Sequence, residues 1–191
     1  MRPALSRLFT VCAAFVFTAL LAASPVRSGG VDIGGPFDLA RHDGGRLTDA
    51  DLAGTPHAVF FGFTHCPEVC PTALGELSVS LAELGPDADR FTPIFVTVDP
   101  ERDTPEHLKA YLESFDPRIV GLTGTPEEIA AIARAFKATY RKVPVGGDNY
   151  TMDHTAITYL IDRHGRFFDK IDYRDPQDVQ LEKFRKLIAG E

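Results

Sequence analysis

Tryptophan is absent from the 191 residues, and cysteine occurs three times. Without tryptophan, the aromatic that precedes the first cysteine of Cys-x-x-Cys oxidoreductases has no counterpart here. Cys12 lies in an apolar stretch, residues 8–23, that follows Arg2 and Arg7. Val11 before it is not a small residue, so Cys12 does not read as a lipid-attachment cysteine. Charge of basic sign is also short: 20 Lys and Arg stand against 27 Asp and Glu, for a net charge of −7. A chain this acidic is a poor binder of nucleic acid, whose phosphates demand basic patches. Internal repeats are lacking. The apolar stretch is short for a spanning helix, which needs about 20 apolar residues.

The N-terminus has the three parts of an export signal: a positive start, an uncharged apolar middle, and small residues at Ala22-Ala23-Ser24. Residues 1–28 are expected to be a signal peptide, or a membrane anchor if the leader is retained. Residues 29–191 then form one domain, long enough to bury its own core. The exported domain is expected in the periplasm, free or anchored to the membrane facing it. It keeps only Cys66 and Cys70, in a compartment where disulfides form and persist.

Residues 37–48 alternate around Asp43-Gly44-Gly45, which suggests a hairpin. Residues 58–63 (Ala-Val-Phe-Phe-Gly-Phe) are a continuous apolar run, hence a buried strand. A helix is expected from Pro71 through Leu74, Leu77, Leu81 and Leu84, ended by Gly85-Pro86. Residues 93–98 form a second buried strand. Thr104-Pro105-Glu106 opens a helix running to Phe115, and Thr125-Pro126-Glu127-Glu128 is a capping box for another. Residues 155–161 and 166–171 pair as strands around Arg163-His164-Gly165, and a last helix starts at Asp175-Pro176. This order implies an α/β sandwich with a mixed central sheet, flanked by helices and preceded by an N-terminal hairpin. A cysteine pair leaving the first buried strand toward a helix is the thioredoxin-like arrangement, by analogy.

The chemistry gathers in Thr64-His65-Cys66-Pro67-Glu68-Val69-Cys70-Pro71 and in Tyr150-Thr151-Met152-Asp153-His154. Two thiols and one imidazole at strand ends suit either a soft-metal site or a redox site. These segments, together with residues 96–105 (Val-Thr-Val-Asp-Pro-Glu-Arg-Asp-Thr-Pro) and Leu122-Thr123-Gly124-Thr125, resemble the Sco/SenC family of copper chaperones from about Gly34 onward. The departures are Glu68, where aspartate is common, and Met152, where a branched aliphatic is common. The resemblance implies a thioredoxin-like fold, copper held by Cys66, Cys70 and His154, and delivery to the binuclear copper centre of cytochrome c oxidase. It also implies a copper-accepting oxidase subunit as partner, with an upstream copper donor and a thiol reductant.

Thiolates select Cu(I), and imidazole suits both Cu(I) and Cu(II). Structural zinc takes four ligands and closes its site; here a fourth would have to be a carboxylate or second histidine. Cys66 and Cys70 are also expected to interconvert between a dithiol that loads metal and a disulfide that does not. Cys70 is placed near a helix N-cap, where the dipole would lower its thiol pKa. His154 falls opposite the cysteine loop, where thioredoxins carry a proline. The leading reading is thus a binding protein and not an enzyme. The rival is a thiol-disulfide oxidoreductase that keeps the acceptor cysteines reduced.

Other residues are assigned smaller parts. His65 should support the site at most indirectly, and His42, His57, His107 and His164 should be solvated. Met152, Phe60, Phe61 and Phe63 should pack. Asp99 and Asp103 should shape turns around Pro100 and Pro105, or orient the cysteine loop. Asp153 is a candidate acceptor for the second nitrogen of His154. Gly34-Gly35 is too weak a pattern for nucleotide binding.

Overall fold

The computed structural model describes residues 32–191. The expected signal peptide or anchor, residues 1–28, lies outside them. Among the described residues no helix is long and apolar enough to cross a membrane.

The chain opens with strands β1 (Asp38–Arg41) and β2 (Arg46–Thr48), the expected hairpin. Strand β3 (His57–Gly62) is buried along its whole length. Helix α1 (Val69–Leu84) follows, then β4 (Thr92–Thr97), α2 (Pro105–Leu112), β5 (Val120–Thr123) and α3 (Pro126–Ala135). Two strands, β6 (Tyr140–Gly146) and β7 (Asn149–His154), form a ribbon of their own. Strands β8 (Ile157–Ile161) and β9 (Phe167–Asp172) and helix α4 (Gln177–Ala189) complete the chain.

The main sheet runs β2-β1-β5-β4-β3-β8-β9. Its centre is parallel, β3 to β4 and β4 to β5, and its flanks are antiparallel. Successive residues of β3 face opposite sides of the sheet. Phe60 meets Phe95, whose ring meets Tyr111 of α2. Phe61 meets Phe136, just past α3, and Tyr159. Both faces are therefore covered, which is why the central strands read as unbroken apolar runs. Helices α1 and α4 are joined by Gln177, whose amide donates to the Ser80 hydroxyl at 2.7 Å.

Four details differ from the sequence reading. Helix α1 begins at Val69, not Pro71; the proline sits in the first turn, where its missing N–H has no helical acceptor anyway. Helix α2 stops at Leu112, before Phe115. Strand β5 is an addition, four residues with a glycine at its second position. The β6–β7 ribbon is the larger addition. Its first strand is exposed along most of its length and contains Pro144, so it offers neither apolar alternation nor a continuous run.

Candidate metal centre

Strand β3 delivers the chain to the cysteine loop at Gly62. The loop turns tightly, with the Cys66 N–H donating to the Phe63 carbonyl at 3.2 Å. Asp103, fully buried, holds it from below. Its carboxylate accepts from the Thr64 N–H at 3.0 Å, the Thr64 hydroxyl at 2.6 Å and the Thr97 hydroxyl at 2.6 Å. Of the two parts expected for Asp103, orienting the loop is the one this geometry describes.

Cys66 and Cys70 lie four residues apart, and the Cys70 N–H donates to the Cys66 sulfur at 3.3 Å. Both are free thiols in this structure. His154 Nε2 stands 3.5 Å from the Cys70 sulfur. The Cys66 and Cys70 sulfurs and a His154 ring nitrogen all lie within 4.8 Å of one another. Cys70 is buried, whereas Cys66 and His154 are partly exposed. The folded chain thus brings together all three residues singled out from sequence.

The imidazole is oriented by its other nitrogen. His154 Nδ1 lies 3.0 Å from the Thr155 carbonyl oxygen, which can only accept, so Nδ1 carries the proton. Nε2 is left facing the sulfurs, the nitrogen that a ligating histidine would offer to a metal. Asp153, the acceptor expected from sequence, instead pairs with Arg141 across the ribbon. The rings of Phe63 and Phe60 flank His154 edge-on, with centroids at 5.7 and 6.3 Å.

The thiols divide one proton unequally. Cys66 is lowered to about 4, first by hydrogen bonding from the Cys70 thiol, with help from His154 and the backbone N–H groups of Cys70 and Glu68. Cys70 is pushed upward, first by the Cys66 sulfur beside it and then by burial. This reverses the expectation that Cys70 is the activated thiol. Cys70 lies inside the first turn of α1 rather than at its N-cap, and the Cys66 sulfur beside it, together with its burial, outweighs the helix dipole.

The ribbon that carries His154 is fastened to the loop after β4. The Tyr150 hydroxyl donates to buried Asp99 at 2.8 Å, and Arg102 pairs with the same carboxylate. Arg102 also donates to the Tyr150 carbonyl at 3.0 Å and lies over its ring at 3.8 Å. Lys142 reaches Glu101 at 2.6 Å. The roles of Tyr150 and Arg102 escaped the sequence reading, although both stand inside the motifs it singled out. Tyr111 is a further addition: its hydroxyl is buried without a hydrogen-bond partner, and the nearby Cys70, Cys66 and Asp103 help burial to raise its pKa.

The remaining residues fall into place around this. Met152 packs in the core, as expected. His57 is buried at the start of β3, not solvated, and His42 Nδ1 accepts from the Gly121 N–H at 3.0 Å. His65 stacks on His107 with ring centroids 5.4 Å apart.

The family model for SCO1/SenC matches residues 26–189. Human "Protein SCO1 homolog, mitochondrial" is 45% identical over 143 residues, covering 72% of this chain and 46% of that protein. An SCO2-like protein of Rickettsia prowazekii is 40% identical over 163 residues, covering 84% of this chain and 78% of that one. The chain spans about half the length of several of the curated relatives it matches. Among solved structures, Bradyrhizobium japonicum ScoI with copper bound shares 46% identity at a TM-score of 0.77, covering 81% of this chain and 99% of that one. Yeast Sco1 with copper bound shares 32% at a TM-score of 0.77, covering 84% and 90%. The thioredoxin-like sandwich is common to them. On this evidence the chain belongs to the SCO1/SenC family.

Proposed function

We propose that this protein is a copper chaperone that carries copper on Cys66, Cys70 and His154 and hands it to the copper-accepting subunit of cytochrome c oxidase. The observation that carries the reading is the convergence of two sulfurs and an imidazole nitrogen within 4.8 Å, where β3 leads into α1. The donor set fits copper. Two thiolates hold Cu(I), and the imidazole adds the borderline donor that Cu(II) accepts. Three ligands leave a coordination position open, and ligand exchange with an acceptor needs such a position. The Bradyrhizobium and yeast relatives have solved structures with copper bound, which supports the same cargo here. The leader, read as an export signal, supports a location in the periplasm or on the membrane facing it.

The test is the reduced domain titrated with Cu(II). A sulfur-to-copper charge-transfer band should appear with one equivalent. His154→Ala should weaken the band and destabilise Cu(II) while leaving both thiols able to form a disulfide. Unchanged Cu(II) binding by that variant would remove His154 from the ligand set.

The low Cys66 pKa favours a second reading, in which the pair acts on disulfides of the acceptor. The Cys66 thiolate attacks one acceptor sulfur, Cys70 resolves the mixed disulfide, and the acceptor leaves with two thiols as Cys66–Cys70 becomes oxidised. Fast turnover in a disulfide-reduction assay, together with negligible copper affinity, would put this activity first.

A further inference from the structure

A second cluster of donors lies beside the cysteine loop. His65 immediately precedes Cys66, and His107 stands in the first turn of α2. Their rings lie nearly parallel, 10° apart, with centroids separated by 5.4 Å. Both side chains are exposed. Beneath them is Asp103, and one donor atom from each of the three lies within 4.8 Å of the others. A first-row metal bonds imidazole nitrogen at about 2.0–2.1 Å, so donors on opposite sides of it stand about 4 Å apart. Small rotations of two exposed rings close the difference.

The partners of Asp103 are a second observation that points to a cation ligand. The two buried carboxylates that follow β4 differ in their partners. Asp99 is paired with Arg102 and bonded by Tyr150. Asp103 has no lysine or arginine among the described residues; its single ion-pair neighbour is His65, at 4.0 Å. Buried carboxylates are costly unless paired or coordinating a metal. A carboxylate has about four acceptor positions. Thr64 N–H and the Thr97 hydroxyl use two on Oδ2, and the Thr64 hydroxyl uses one on Oδ1. The unspent position belongs to Oδ1, the same oxygen that lies nearest His65.

We propose that His65, His107 and Asp103 form a second metal station, selective for Cu(II), next to the dithiol. Two imidazoles and a carboxylate are donors of borderline to hard character. They suit Cu(II), whereas the thiolates next door suit Cu(I). The protein then offers Cu(II) a place free of thiolate beside the site that takes copper on sulfur, one residue apart along the chain at His65 and Cys66. The station does not depend on the ligand role proposed for His154.

The test uses protein whose Cys66–Cys70 pair has been oxidised to the disulfide, which removes both thiolates as ligands. Cu(II) itself is the probe, followed by equilibrium dialysis and electron paramagnetic resonance. The oxidised wild type should take up one equivalent, with hyperfine splitting from two nitrogens and no sulfur-to-copper band. His107→Ala, at an exposed position, should lose that equivalent. His164→Ala and His154→Ala should keep it. The reduced His107→Ala protein should retain the charge-transfer copper, so failure of this station is distinguishable from failure of the chaperone reading. The proposal is overturned if the oxidised wild type takes up no Cu(II). It is equally overturned if His107→Ala binds as well as wild type, or if His154→Ala alone abolishes binding.

Discussion

Replacing Gly62 with alanine should damage the proposed metal centre without replacing any of its proposed ligands. Gly62 ends β3, opposite Thr97 of β4, and its carbonyl accepts from the Val98 N–H at 2.7 Å. An added Cβ would stand 2.8 Å from the Cys70 sulfur and 2.6 Å from Cε2 of Phe95. Ordinary contact begins at 3.4 Å, so the sulfur must retreat by about 0.6 Å and the ring by about 0.8 Å. Neither has an outlet, because Cys70 and Phe95 are both fully buried. Overpacking of this kind costs about 1–3 kcal/mol. The sulfur displacement is the more telling effect. Metal–ligand distances tolerate about ±0.2 Å, and the forced shift exceeds that. Copper affinity should fall by about 10–100-fold, the range found when a ligand's support is disturbed. Urea unfolding of the reduced, copper-free protein reads the first quantity, and competition with a Cu(I) chelator reads the second. An unchanged unfolding midpoint, with an affinity within about twofold of wild type, would refute the claim that the absent side chain at Gly62 sets the position of Cys70.

Two further outcomes follow from the same geometry. The Cys66 thiol is lowered to about 4, first by hydrogen bonding from Cys70, so its thiolate persists as pH falls. Alkylation by iodoacetamide should stay level from about pH 8 to 6 and decline only toward about pH 4, whereas a free thiol near 8.5 would lose about tenfold per unit over that range; an inflection between about 8 and 9 would contradict the assignment. Tyr150→Phe removes the hydrogen bond to Asp99 that clasps the ribbon. It should cost about 1.5–2 kcal/mol, the lower part of the range for bonds to charged groups, and should weaken Cu(II) more than Cu(I), because His154 rides on that ribbon. Equal losses for both oxidation states would mean that the clasp does not position the imidazole.

The parts of this molecule that could be read from sequence are those in which chemistry and periodicity are local. The apolar runs of β3 and β4, the Thr125–Glu128 capping box and the turn at Gly44-Gly45 each declare an element within a few residues. The three converging donors could be singled out because thiols are scarce and their spacing is distinctive. The ribbon could not, since a two-stranded element lying off the main sheet buries no continuous face. The reversal of the two thiol pKa values was equally hidden. It depends on which sulfur receives the Cys70 N–H and which is sealed in the core, and helix position alone does not reveal either. The partnering of Asp103 with Thr64 and Thr97 joins residues up to 39 positions apart, and only the sheet brings them together.

The separation of His154 from the sulfurs has a kinetic consequence. Its ribbon is tied down by side-chain clasps at Asp99 and Glu101 and is not hydrogen-bonded into the seven-stranded sheet. A lift of that ribbon would withdraw His154 and leave the sulfur pair seated on the start of α1. Under the proposed function, residence time of the cargo would then be adjustable at Lys142 or Tyr150, remote from the sulfurs, much as a latch is loosened without altering the lock.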